Sequence, residues 1–285
     1  MELKATLSNY NSHERDKFLV FDEPRHKYSV TTDPKSFYTS VTTFNHGHFP
    51  KFNADEVIEN MMKGKNWNPE NKYWGLTPTE IKALWKQNSD AVSGAGTDLH
   101  YNIECFMNQD LPKGYTHRDL LEKYEAQIKS GIIKPFNDSE EWEYFLQFIR
   151  ASPRFKPYRT EWMIYDEELK IAGAIDMVYE NPDGTLSIYD WKRSKEITKT
   201  NGFNKYAVTE EIEHIPDTNF WHYSLQLNTY KAILERKYGK IITDLYLVRL
   251  HPLNNPKKTF ELIKCASLDK EVSDLFQVRK KNLNK

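Results

Sequence analysis

The sequence predicts a mixed α/β (α+β) protein, and three observations support this. Residues 171–179 form an almost continuous run of apolar or small residues, which is typical of a strand covered on both faces. A second strand-like segment, residues 186–192, follows the turn sequence NPDG at 181–184. Helical patterns with recognisable caps lie before and after these strands. The length of 285 residues fits one large domain with helical insertions.

The other elements are predicted from caps, turns and periodicity. The strand predictions are residues 26–30, 38–42, 244–250 and 259–263. The first helix prediction is residues 53–62, followed by a pair of helices that starts at the capping box 77–80, is broken at 93–96 and ends at about 107. A helical stretch near 120–128 lies within an insertion at 108–137, and the next helix is capped at 137–139 and runs through 149. The last two helices are 219–238, ended by Gly239, and 268–278.

Composition excludes several classes of protein. Aromatic residues make up 14% of the chain, so it is not of the disordered type, and a net charge of -1 confines any nucleic-acid contact to a local groove. Cys105 and Cys265 are too few for a disulfide framework or a four-cysteine iron–sulfur cluster, and they suit a reducing compartment. No run is long enough to span a membrane, and no signal peptide is seen, so we expect an intracellular protein without membrane contact.

Charged residues interrupt the two central strands. Asp176 lies in the middle of the apolar run, where a bare carboxylate is costly. With a side-chain period of two, Asp190 and Lys192 share the face of the apolar residues in their strand. If the turn is of type I, with Gly184 in the left-handed conformation of a bulge, the hairpin register places Asp176 opposite Asp190.

Two opposed aspartates repel, so one is protonated or a cation lies between them, and hard divalent cations prefer such oxygen ligands. Lys192 favours the ionised forms, and Glu161 adds a third carboxylate if its own apolar segment pairs alongside. The alternative interpretation is a hairpin with a solvated acidic edge and an ordinary lysine. The apolar residues between these charges disfavour that alternative.

The order of Glu161, Asp176 after Gly-Ala-Ile, and Asp190-Trp191-Lys192 resembles the PD-(D/E)XK nuclease superfamily, with Asp176 as the first acidic position and Asp190-x-Lys192 as the D/E-x-K. Further matches resemble its RecB-like exonuclease branch. They are the G-x-x-x-H pattern of Gly96 and His100, with Glu104 four residues on, and the Q-x-x-x-Y pattern of Gln226 and Tyr230. The S-V-T segment at 40–42 is similar to one in the mitochondrial genome maintenance exonuclease family and in related phage and large-DNA-virus proteins.

The resemblance implies a restriction-endonuclease-like core, a central mixed sheet with helices on both sides and helical insertions. It implies one or two Mg²⁺ or Mn²⁺ ions, and the imidazole favours manganese. The implied metal ligands are His100, Glu161, Asp176, Asp190 and the carbonyl of Trp191. Lys192 would orient or deprotonate the attacking water, so the catalytic set is Lys192, Asp176, Asp190 and Glu161. The implied contacts to nucleic acid are Ser40, Thr42, Arg193, Ser194, Lys195, Gln226 and Tyr230.

Some of these residues have a simpler interpretation. Ser40 and Thr42 suit an edge strand equally well, and the spacing of His100 and Glu104 is common in solvated helices. Close relatives read D-W-K-T-S, whereas Arg193 stands here in place of the Thr. The basic tail from Arg279 to Lys285 fits a solvated terminus better than a contact to nucleic acid.

We therefore expect a single metal-dependent nuclease domain acting on DNA in replication, repair or recombination, chiefly as an exonuclease on single-stranded or frayed ends. Its predicted parts are N-terminal strands (1–50), a helical region over the site (51–150), the catalytic sheet with the QxxxY helix (155–265), and a C-terminal helix and tail (266–285). The alternatives are a structure-selective endonuclease for flaps or branches and a non-catalytic DNA-binding subunit. Neither a protein partner nor an oligomeric state can be assigned from the sequence.

Overall fold

The computed structural model describes residues 3–202, 204–253 and 255–284. The chain divides into two compact units, a larger one formed by Met1–Phe49 with Leu99–Lys285 and a smaller one formed by Pro50–Asp98. Lys285, the last residue of the predicted basic tail, lies outside the described residues. Within those residues, no helix combines the length and the hydrophobicity needed to cross a membrane.

The elements are numbered in chain order. The helices are α1 (Thr6–Tyr10), α2 (Val41–His46), α3 (Ala54–Lys63), α4 (Pro78–Met107), α5 (His117–Lys129), α6 (Glu140–Ala151), α7 (Asn219–Tyr238) and α8 (Asp269–Leu283). The strands are β1 (Leu19–Asp22), β2 (Lys27–Val30), β3 (Thr39–Ser40), β4 (Lys156–Asp166), β5 (Ile171–Glu180), β6 (Leu186–Lys192), β7 (Ile242–Arg249) and β8 (Glu261–Lys264).

The main sheet is mixed. Its order is β3-β5-β6-β7-β8, with β4 paired to β5, while β1 and β2 form a separate hairpin. The pairs β3–β5 and β6–β7 are parallel, and β4–β5, β5–β6 and β7–β8 are antiparallel. This sheet with its flanking helices confirms the predicted fold class.

Helices cover the sheet on both faces because alternate strand residues point to opposite sides. Val178 and Ile188 belong to a core cluster with residues of α7 and α8. Their neighbours Tyr179 and Tyr189 belong to a second cluster with residues of α5 and α6. The central strands are therefore apolar on both faces, which explains the nearly continuous apolar run in the sequence.

The turn between β5 and β6 has the predicted geometry. Gly184 has a φ of +83°, and its N–H donates to the carbonyl of Asn181 at 2.9 Å. The ladder begins at Glu180 and Leu186 and ends at Met177 and Tyr189. In that register the next two residues toward the open end of the hairpin are Asp176 and Asp190.

Two predictions about local structure are wrong. The region 78–107 is one continuous helix, because Gly94 and Gly96 cost a helix only about 1 kcal/mol each. The predicted strand at 38–42 ends at Ser40, whose hydroxyl accepts the N–H of Thr43 at 3.0 Å and caps α2. Thr42 is therefore helical, because the cap overrides the strand preference of threonine.

The smaller unit contains α3 and the first part of α4, and each of these helices begins at a side-chain cap. Asn53 accepts the N–H of Asp55 at 3.1 Å. Thr77 and Glu80 form the capping box, in which the N–H of each is bonded to the side chain of the other, at 2.7 and 3.3 Å. Lys82 joins the two helices through an ion pair with Asp55, 2.7 Å long. The predicted helix at 53–62 and the predicted helix start at the capping box 77–80 are thus confirmed.

His117 makes the larger unit sensitive to acid. The side chain is fully buried, with Nδ1 3.0 Å from Ser152 Oγ and Nε2 2.9 Å from the Tyr179 hydroxyl. Burial lowers its pKa from 6.5 to about 3. The folded protein therefore keeps this imidazole neutral while the unfolded chain protonates below pH 6.5, so stability present above pH 6.5 is lost as the pH falls toward 3.

We expect wild type to lose about 1.4 kcal/mol more stability than His117→Gln between pH 7.5 and pH 5.5. Over that range, protonation of His117 in the unfolded chain alone raises the unfolding equilibrium constant about tenfold, which corresponds to this free energy. Urea denaturation of both proteins at the two pH values measures this difference. Comparing the two proteins cancels the carboxylates that they share. Equal losses in both would show that His117 is protonated in the folded state.

Candidate active site

Three neighbouring strands bring three carboxylates into one row. The β4–β5 ladder pairs Thr160 with Met177 and Trp162 with Ile175, so Glu161 and Asp176 face each other between these pairs. The β5–β6 register places Asp190 opposite Asp176, one residue beyond the last ladder pair. The predicted alignment of the two aspartates thus fits the observed register, and Glu161 joins it from the other side.

The strand backbone is irregular at this row. Glu161 has a φ of +42°, a left-handed conformation that costs a residue other than glycine about 1–3 kcal/mol. The fold therefore accepts local strain where the carboxylates meet.

Asp176 lies at a fork in the sheet. Because β4 pairs along one edge of β5, the strands β3 and β6 must share the other edge, at residues 171–172 and 177–180 respectively. Asp176 lies in the unpaired stretch between them, and its Oδ2 accepts the N–H of Trp191 at 3.0 Å. The Asp176 carboxylate thus accepts a hydrogen bond from β6 just beyond the last backbone pair between β5 and β6.

His100, from the part of α4 in the larger unit, completes this cluster. Its Nδ1 lies 3.6 Å from Asp176 Oδ2 and 4.0 Å from Glu161 Oε1, and its Nε2 lies 3.1 Å from the carbonyl oxygen of Trp191. A carbonyl can only accept, so a neutral ring carries its hydrogen on Nε2 and turns a lone pair on Nδ1 toward the carboxylates. Lone pairs of three side chains then converge.

Asp190 and Lys192 form a close ion pair next to this cluster. Lys192 Nζ lies 2.6 Å from Asp190 Oδ2, and the side chains are 17% and 4% exposed. No described residue gives that oxygen a well-aligned hydrogen bond. Both residues share the face of Ile188 toward α7, as the period of two predicted. Lys192 Nζ also lies 4.4 Å from the ring centroid of Tyr223.

The site carries more negative charge than its surroundings favour. Burial and the neighbouring Asp176 raise the pKa of Asp190 to about 6. Burial, Asp176 and Glu104 raise the pKa of Glu161 well above its usual range. Burial disfavours the charged form of Lys192, but Asp190 and Asp176 outweigh this and raise its pKa. Clustered carboxylates with raised pKa values are what a bound cation would relieve.

A divalent cation fits these residues. His100, Glu161 and Asp176 each offer one ligand atom, and these atoms lie within 4.8 Å of one another. Their lone pairs converge, as the ligand atoms of a cation must. Oxygen ligands suit magnesium, and the single imidazole is better tolerated by manganese.

Helix α7 closes the site with the residues of the Q-x-x-x-Y pattern. Gln226 Nε2 donates to the hydroxyl of Tyr230 at 3.3 Å. Burial raises the pKa of Tyr230, and the negative charges of Asp176 and Asp190 add to this. The Tyr230 ring lies directly on the backbone of Gly173, where an added Cβ would be 2.8 Å from ring atom Cε1.

We expect Gly173→Ala to destabilise the protein by about 1–3 kcal/mol, because the new methyl group overlaps the buried Tyr230 ring. Gly94→Ala, in the interior of α4 with no described atom near its added Cβ, is the control and should stabilise by about 0.5–1 kcal/mol. Urea denaturation measures both. Equal effects of the two substitutions would show that Tyr230 is not packed against Gly173.

The other predicted contacts to nucleic acid lie outside α7, and Arg193, Ser194 and Ser40 are hydrogen-bonded or ion-paired within the protein. Arg193 pairs with Glu141 at 2.9 Å, and the Ser194 hydroxyl donates to the carbonyl of Glu196 at 2.7 Å. Lys195 is exposed. Ser40 caps α2 and Thr42 is exposed on its first turn, and Arg279 donates from α8 to Thr39 Oγ1 at 2.9 Å.

Four residues near the site were missed in the choice of site residues. Glu104 lies close enough to raise the pKa of Glu161, and its spacing from His100 is a signal that the sequence does contain. Tyr28 is buried, and Glu161 contributes to raising its pKa to about 12. The Tyr223 ring lies beside Lys192 Nζ, and Arg249 lies opposite Lys192 in the backbone register of β6 and β7. The last three arrive by long-range packing, for which no sequence pattern exists.

Comparison with known proteins places the chain in a family. A family model of the PD-(D/E)XK nuclease superfamily matches residues 88–282. The chain is similar to Protein SEY1 homolog 2 of Entamoeba histolytica, with 24% identity over 232 residues, 73% of this chain and 26% of that protein. It thus spans about a quarter of the length of that curated relative.

Among solved structures, the chain is similar to a Eubacterium rectale protein described provisionally as an exonuclease, with 14% identity, a TM-score of 0.33 and coverage of 100% of this chain and 85% of that one. The family match is the informative comparison, because it spans about two thirds of the chain and includes Asp176, Asp190 and Lys192. This chain belongs to the PD-(D/E)XK nuclease superfamily.

Proposed function

We propose that this protein is a divalent-metal-dependent deoxyribonuclease of the RecB-like branch, similar to the mitochondrial genome maintenance exonuclease family. The observation that carries the proposal is the row of Glu161, Asp176 and Asp190, with His100 Nδ1 at one side and Lys192 at the other. A structural ion-pair network would satisfy these charges internally. Here three carboxylates share one lysine, with a single imidazole beside them.

PD-(D/E)XK nucleases generally use divalent metal ions. Asp176, Asp190, Glu161 and His100 would hold one or two Mg²⁺ or Mn²⁺ ions, and the carbonyl of Trp191 keeps a second lone pair beside its contact with His100. When bound, such ions neutralise a scissile phosphate and lower the pKa of a water ligand.

The chain's own groups would act on the phosphate around this site. Lys192 orients the attacking water and offsets negative charge on the pentacoordinate phosphate. Gln226 and Tyr230 present a hydrogen-bonding pair from α7. Additional contacts to the DNA backbone would come from Ser40, Thr42, Arg193, Ser194 and Lys195.

The proposed substrate is DNA with a free single-stranded or frayed end, and the proposed setting is replication, repair or recombination. The test is to incubate an end-labelled linear single-stranded oligonucleotide and its circularised form with the protein, in the presence of Mg²⁺, Mn²⁺ or EDTA. We expect the linear form alone to be shortened, and only with a metal ion.

The other outcomes separate the alternatives. Cleavage of the circle would contradict the exonuclease mode and favour an endonuclease, since an exonuclease needs an end. Binding without cleavage under every metal would contradict the enzyme and favour a non-catalytic DNA-binding subunit. Digestion of a matched RNA oligonucleotide at the same rate would contradict the preference for DNA.

A further inference from the structure

The ammonium group of Lys192 lies between two partners. Asp190 Oδ2 is 2.6 Å from Nζ, and the ring centroid of Tyr223 is 4.4 Å from it. A cation within about 6 Å of an aromatic ring face is attracted by the negative charge density of that face. The Tyr223 ring is therefore a second, uncharged partner for this lysine.

Tyr223 extends the functional face of α7 by one turn. It lies three residues before Gln226 and seven before Tyr230, so all three side chains project from one side of the helix. Its ring is half-buried and packs against the core cluster beneath the sheet. Packing leaves the ring little freedom, so it can restrict the position of a flexible neighbour.

Lys192 needs such restriction because four rotatable bonds separate its charge from the backbone. The contact with Asp190 depends on a carboxylate oxygen that would also bind a cation. The attraction to the ring uses no lone pair of Asp190, so it holds the ammonium whether or not that carboxylate takes another partner.

We propose that Tyr223 is a positioning residue, whose ring face holds the Lys192 ammonium in place beside Asp190. The catalytic consequence of this contact rests on the proposed nuclease function, whereas the contact itself does not. The competing explanation is that Tyr223 only fills space in the core. The two explanations differ in what happens when the ring is replaced by an aliphatic side chain of adequate size.

The contact is tested first in the metal-free protein. With ¹³C-labelled lysine, the Lys192 ε-methylene signal is assigned by its loss in Lys192→Ala. Protons over a ring face are shifted upfield, so we expect an upfield position in wild type and in Tyr223→Phe, and a normal position in Tyr223→Leu. An unchanged signal in Tyr223→Leu would overturn the proposal.

The consequence is tested by the kinetics of DNA cleavage. We expect Tyr223→Leu to lower kcat about tenfold with KM changed less than about twofold, and Tyr223→Phe to restore most of the loss. The matched control is Tyr158→Leu, which removes another half-buried tyrosine facing a lysine, Lys240 at 5.5 Å, and should leave kcat unchanged.

Each result decides a separate claim. A fall in kcat shared by Tyr223→Leu and Tyr158→Leu, or a loss not restored by Tyr223→Phe, would overturn the positioning role. A wild-type protein that cleaves no DNA would contradict the proposed function, while the lysine signal would still decide whether Tyr223 holds Lys192.

Discussion

Asp176→Asn and Asp190→Asn should each lower the rate of DNA cleavage by on the order of 10³-fold or more while the protein remains folded. An amide has nearly the shape of a carboxylate, so the packing around each residue is kept. It lacks the negative charge that a divalent cation requires. Asp176 would also keep an oxygen for the N–H of Trp191, so the strand pair should persist.

Asp183→Asn is the matched control, because Asp183 lies exposed in the turn of the same hairpin and its Oδ1 accepts the N–H of Thr185 at 3.0 Å, which an amide oxygen also accepts. Cleavage rates and Mn²⁺ binding by electron paramagnetic resonance should fall together in the two site variants and stay at wild-type values in the control. Near-native turnover in either site variant would show that the carboxylate in question is not needed.

Arg249→Met is expected to destabilise the protein by about 3 kcal/mol or more. Arg249 is 2% exposed and donates to the carbonyls of Ser194, Lys195 and Leu253, and it pairs with Glu261 at 2.8 Å. Methionine fills similar volume but offers no donor. The substitution removes the hydrogen bonds to Ser194 and Lys195, in the segment that follows Lys192. We therefore expect the amide hydrogens of this segment to exchange faster.

Lys264→Met is the control for Arg249→Met, because Lys264 also joins β8 to β7, through a 2.8 Å pair with Asp244, but is 64% exposed. An exposed pair is worth about 0–1 kcal/mol. Urea denaturation of both variants gives the comparison, and hydrogen exchange follows residues 194–196. If the two substitutions lower the free energy of unfolding by the same amount, burial does not determine the contribution of Arg249 to stability.

The centre of the fold could be predicted because its signals are local. The NPDG turn and the period of two set the β5–β6 register, and with it the positions of Asp190 and Lys192. The cap at Ser139, the left-handed Gly239 and the capping box at Thr77 fixed helix ends in the same way. In each case the physical cause lies within about four residues of the feature.

Features that depend on a balance of opposing energies, or on contacts between residues far apart in the sequence, could not be predicted. The glycines at 94 and 96 read as a break, but the cost of a helical glycine is small against a helix of thirty residues. Tyr223 comes 31 residues after Lys192, and no pattern links a ring to a distant ammonium. The left-handed backbone of Glu161 is likewise invisible in a strand-like sequence.

The most direct measurement is the rate at which an end-labelled single-stranded DNA is cleaved by wild type, by Lys192→Ala and by Lys270→Ala, with Mn²⁺, Mg²⁺ or EDTA. Lys270 is 83% exposed and pairs with Asp274 on α8, so its variant controls for the loss of a lysine. We expect cleavage by wild type and Lys270→Ala with either metal, and none with EDTA or with Lys192→Ala. Undiminished cleavage by Lys192→Ala, or by wild type in EDTA, would contradict a metal-dependent site built on Asp176, Asp190 and Lys192.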